Sequence, residues 1–131
     1  MNLFNPSDVQ AVADVVRLGY DSGIVLDMYA QVEEEFQKLV SSIPFDAEVV
    51  RILVHQIHNE DLINRALYDE EFLKEMVKAN TAVVAFHKKF EGVLWRLMYC
   101  VNNYKTAGRA TILNNLGKAA VLLKVETPMV F

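Results

Sequence analysis

Three histidines and one arginine are the residues whose types and spacing could do chemistry in this chain. Arg51, His55 and His58 fall within the eight consecutive residues Arg51-Ile52-Leu53-Val54-His55-Gln56-Ile57-His58. The planar fork of an arginine can hold a phosphate while a histidine moves a proton, so Arg51 and His58 together could cleave a phosphodiester without a metal. His55 and His58 are three apart, a spacing that places both on one face of a helix and lets them share a metal ion. His87 lies between Phe86 and Phe90, and apolar surroundings of that kind also suit a haem ligand.

The other reactive candidates have simpler readings. Cys100, the one cysteine, sits on an apolar seam and reads as a buried, inert thiol. Glu33-Glu34-Glu35 reads as a solvated helix face, and Asp69-Glu70-Glu71 as a helix N-terminus, where negative charge is favourable. Lys88, Lys89 and Arg96 make a modest basic face. The chain has no glycine-rich phosphate loop, paired-cysteine zinc signature or nucleophile elbow.

The elements that must position these residues are helical. Asn5 before Pro6 is an N-cap with proline at the first helical position, and Gly23 is placed to close that helix in a left-handed turn. A second helix spans Ile24 to Val40. Asp46 caps a third, and Asn59 offers a cap for a short fourth or lies within a continuation of the third. From Asp69 onward the apolar seam steps by four and three through Phe72, Met76, Ala79, Val83, Phe86, Phe90, Val93, Leu97, Cys100 and Tyr104. It predicts one long central helix over about 70–104, capped by Asp69 and stapled by Tyr68 onto Leu73, with Thr81 and Gly92 as the places where it could bend. Leu73, Asn80, His87, Leu94 and Val101 flank the seam and, with three of them apolar, are expected to widen the buried stripe. A last helix carries Ile112, Leu116, Ala120 and Leu123 inward, and Pro128 ends the regular structure. The expected fold is an all-α, single-domain bundle of five or six helices covering residues 1–131.

Two resemblances bear on the histidines. The Arg51-to-His58 spacing, with six residues between, resembles the signature of HEPN ribonucleases, which are all-helical. The resemblance implies Arg51 and His58 as catalytic residues, although Ile52 stands where that family usually has a polar residue. Phe45 after Pro44, together with His87, is similar to the haem-packing phenylalanine and proximal histidine of globins, and implies His87 as a haem ligand. The His55/His58 pair stands as the metal alternative.

Composition narrows the function classes. The chain has 131 residues, of which 53% are hydrophobic and 23% charged, with a net charge of −4. That is ample for a core, and it argues against a nucleic-acid binder that relies on a broad basic face. No signal-peptide pattern opens the sequence and no apolar run spans a bilayer, so a cytoplasmic setting is expected, in a bacterial, viral or host cell interior. Val77, Val84, Trp95, Met98 and Tyr99 lie off the central seam and leave apolar surface for a neighbour to cover. The expectation is therefore a non-enzymatic protein–protein interaction or assembly module of adaptor, regulatory or viral accessory type. It would self-associate or dock on another protein through the long helix and the last one, use no cofactor, and have Trp95, Met98 and Tyr99 as its partner-binding residues.

Overall fold

The computed structural model describes residues 1–17 and 21–126. Among them are seven α-helices and no strand: α1 Pro6–Val16, α2 Ser22–Ser41, α3 Ala47–His55, α4 Glu60–Tyr68, α5 Glu70–Lys89, α6 Val93–Asn103 and α7 Arg109–Leu123. The all-α class is as expected, but the helices number seven instead of five or six. The sequence pattern also puts Tyr20 on one face of the first helix with Val9, Val12, Ala13 and Val16; that expectation for Tyr20, and the one for Pro128, fall outside the described residues.

The caps form where the side chains dictate. Asn5 accepts from Ser7 N, Asp46 from Val49 N, Asn59 from Leu62 N and Asp69 from Phe72 N, at 2.8–3.1 Å. Each satisfies a backbone donor that has no partner within its own helix. Gly23 does not close α1. Asp21 Oδ1 accepts from the backbone N–H of Gly23 and Ile24, so Gly23 sits in the opening turn of α2.

The single long helix over 70–104 does not exist as such. The chain runs through Thr81 without interruption and breaks at Phe90–Gly92. Gly92 takes φ +82°, a conformation an L side chain rarely adopts, and the Phe90 carbonyl accepts from both Val93 N and Leu94 N. The seam itself is covered by the chain on both sides of the break. Phe72, Ala79, Val83, Phe86, Phe90, Val93, Leu97 and Cys100 are buried, and Met76 and Tyr104 are half-buried. The flanking row is covered only in part: Leu73 and Asn80 are exposed, His87 and Val101 are half-buried and Leu94 is buried.

The helices fall into two compact units. The first contains Met1–Leu3 and Glu35–Lys89, and so holds the end of α2 with α3, α4 and α5. Its core includes Phe36, Val50, Val54 and Phe72, and Phe45 meets Phe72 edge-on at 5.6 Å between centroids. The N-terminal residues are tied into this unit, since His55 Nε2–H donates to the Leu3 carbonyl at 2.7 Å and Gln37 Nε2 to the Met1 carbonyl at 3.0 Å. Helix α4 has no buried residue despite Leu62, Ile63, Ala66 and Leu67.

The second unit contains Phe4–Glu34 and the chain from Phe90 onward, bringing α1 and the first part of α2 together with α6 and α7. Helices α6 and α7 form its main helix pair. Its core is built from Val12, Val16, Met28, Tyr29, Leu97, Ile112 and Leu116, all essentially inaccessible to solvent. Phe4 packs edge-on against Tyr29 at 5.1 Å, and its backbone N–H donates to Glu33 Oε1 at 2.7 Å.

Candidate functional site

The histidines occupy structural positions. His55 is the last residue of α3, and Gln56 follows with φ +56°. His58 therefore lies beyond the helix, and the one-face geometry expected for His55 and His58 does not arise from a shared helix. His58 is exposed, with Nε2 3.9 Å from Glu60 Oε1. Arg51 stays half-buried on α3. Burial lowers the pKa of His55, and the neighbouring charges of Arg51 and His87 push the same way, while its bond to Leu3 opposes them. His87 Nε2–H donates to the Val54 carbonyl at 2.7 Å, so that ring nitrogen is already engaged. A haem iron or metal ion on His87 must use Nδ1 or break this bond. Among the described residues no group of three or more His, Cys, Asp or Glu is arranged to hold a metal ion.

Cys100 is buried, with Sγ facing the Ile112 carbonyl at 3.9 Å, and desolvation pushes its pKa up to about 12. Tyr29 is likewise raised well above the usual tyrosine value, first by burial and then by Cys100. Neither group is poised to react near neutral pH.

Exposed apolar side chains line a surface groove in each unit. In the first unit α3, α4 and α5 enclose a groove of about 380 Å³ lined by residues that include Leu53, Leu62, Ile63, Leu73, Met76 and Val77. Leu67 and Tyr68, at the end of α4, are 69% and 88% exposed. The staple expected between Tyr68 and Leu73 thus leaves Tyr68 in solvent.

In the second unit the surface lies on α6 and α7. Trp95 is 61% exposed and stacks on the half-buried Tyr99, with centroids 5.8 Å apart and planes inclined by 30°. Met98 is half-buried. The Arg96 guanidinium lies 5.4 Å from the Trp95 ring centroid and donates to Asn115 Oδ1 at 2.8 Å. Asn115 is buried, and its Nδ2 donates to the Thr111 carbonyl at 3.1 Å, so both ends of the amide are satisfied. Arg96 also forms one wall of a groove of about 530 Å³, completed by Asn114, Gly117, Lys118, Val121 and Leu122. Val121 and Leu122 are 67% and 52% exposed, and a Cβ at Gly117 would meet nothing within 4 Å. Of the expected partner-binding residues, then, Trp95 is open to solvent, while Met98 and Tyr99 are each half-covered.

No family model matches this chain, and no curated protein or solved structure matches it. No helix among the described residues is long and apolar enough to cross a membrane.

One feature of this surface escaped the pattern of apolar residues and needed only a count of charges. From Val93 to Lys124 there are five basic residues (Arg96, Lys105, Arg109, Lys118 and Lys124) and no acidic one, in a chain whose net charge is −4. Helices α6 and α7 are thus a cationic element in an acidic protein.

Proposed function

We propose that this protein is a non-enzymatic helical interaction module that self-associates through the α6–α7 surface. The observation that carries this reading is Trp95, a large aromatic side chain standing mostly in solvent, stacked on Tyr99 and next to Arg96, which itself lines a groove with the exposed Val121 and Leu122. Contiguous apolar surface of this kind, edged by polar groups, marks interaction sites on soluble proteins. Tryptophan, tyrosine and arginine are the side chains that most often dominate binding energy, and Trp95, Tyr99 and Arg96 lie together here. The Nε2 atoms of His55 and His87 are each bonded to a backbone carbonyl and Cys100 is buried, which favours the same reading.

Sedimentation velocity over a wide concentration range tests the reading. The wild type is expected to associate, and Trp95→Glu is expected to weaken association by about 2 kcal/mol, the scale of a hot-spot residue. Residue 95 lies in the first turn of α6, where a carboxylate is compatible with the helix dipole, so the variant retains its fold. A wild type that remains monomeric throughout rejects the proposal.

A further inference from the structure

The cationic α6–α7 surface has a counterpart of opposite charge on the same chain. Residues 60–75 contain six acids, Glu60, Asp61, Asp69, Glu70, Glu71 and Glu75, against two bases, Arg65 and Lys74. Both bases have local partners: the Arg65 guanidinium lies over the Phe72 ring at 4.2 Å, and Lys74 Nζ sits 3.8 Å from Glu70 and 3.6 Å from Glu71. The same stretch exposes Leu67 and Tyr68 and borders the apolar α3–α4–α5 groove. Each of the two regions therefore joins exposed apolar side chains to a net charge of one sign, and the signs are opposite. An isologous contact would bring like charges together, Arg96 and Lys118 facing their own copies, which is unfavourable.

We infer that the association is heterologous: the α6–α7 surface of one molecule docks on the α4–α5 corner and its groove in a second copy. Trp95 supplies the apolar anchor, and Arg96 and Lys118 face the acids of the corner. This inference rests on the self-association proposed above and adds its mate surface and its symmetry. A head-to-tail contact leaves one surface of each kind open on every dimer, so association continues into closed rings or open chains. It also weakens with salt, because exposed charges are screened.

Two variants that each block one surface test it. Trp95→Glu removes the anchor on α6 and leaves the acidic corner intact. Leu67→Lys/Tyr68→Lys replaces two exposed apolar side chains at the C-terminal end of α4, where added positive charge suits the helix, and leaves α6–α7 intact. In sedimentation velocity the wild type is expected to grow past a dimer in 50 mM salt and to associate more weakly in 500 mM. Each variant alone is expected to lose affinity by about thirtyfold. An equimolar mixture of the two is expected to regain association and to stop at a one-to-one pair, since one open surface of each kind remains. Regained association also establishes that both variants are folded. In the Leu67→Lys/Tyr68→Lys variant Trp95 is the only tryptophan, so a blue shift of its emission on adding the Trp95→Glu variant reports burial at the contact.

A Leu67→Lys/Tyr68→Lys variant that associates like wild type overturns the inference and leaves the proposed function standing, with an isologous contact. A mixture that stays monomeric while the wild type associates overturns it as well. A wild type that is monomeric, or whose Trp95 emission moves only when a polyanion such as heparin is added, rejects the inference and self-association together.

Discussion

The Tyr29 hydroxyl donates to the Leu97 carbonyl at 3.0 Å, joining α2 to α6 across 68 positions of sequence. Both residues are essentially inaccessible to solvent. Tyr29→Phe keeps the ring and removes only the donor, so it is expected to destabilise the fold by about 1 kcal/mol, the usual net value of such a bond. Urea denaturation measures it as a lower midpoint with an unchanged slope.

His55 gives stability a pH dependence. Its native pKa lies below the ordinary 6.5, mainly through burial, so the unfolded chain takes up a proton at a higher pH than the folded one. The stabilising contribution is complete above about pH 6.5, falls as pH drops below that value and levels off once the native pKa is passed. His55→Gln retains a donor for the Leu3 carbonyl and does not titrate. Denaturation midpoints between pH 7.5 and 5 are expected to fall more steeply for wild type than for this variant.

Cys100 is expected to resist thiol reagents in the native protein at pH 8, because its pKa near 12 leaves about one thiolate in ten thousand and its sulfur is covered. A colourimetric thiol assay should release one equivalent in denaturant and almost none without it.

Gly92→Ala should destabilise by about 1–3 kcal/mol, the range for a residue held in a sparsely populated backbone region. The added Cβ would stand 3.1 Å from Leu122 Cδ1, so that side chain must also give way. Thermal unfolding by circular dichroism gives the comparison, with Gly117→Ala as a control at a site that has room. The control should be neutral or slightly stabilising, since alanine is the better helix former.

What was legible in the sequence was local. Asn5, Asp46, Asn59 and Asp69 cap helices because a short polar side chain reaches its own backbone two or three residues on, and no distant contact is needed. The break at Gly92 was ambiguous for a physical reason: a mid-helix glycine costs only about 1 kcal/mol, and the apolar seam continues in register from Phe90 to Val93 on either side. The role of Gly23 was misread because glycine at a helix end suits a C-cap, while the deciding contact comes from the Asp21 side chain. The chemistry of the histidines depended on partners far away in sequence. His55 meets Leu3 from 52 positions off and His87 meets Val54 from 33, and no spacing rule reports such pairs. Trp95 could be placed off the seam by periodicity, but the accompanying sign of charge along α6 and α7 needed a different reading of the same residues.

The ties at the N-terminus have a consequence for how the chain matures. Leu3 and Phe4 are synthesised dozens of residues before the groups that hold them, His55 and Glu33. Two apolar side chains must therefore stay without their native partners in the growing polypeptide until Glu33 and His55 have been added.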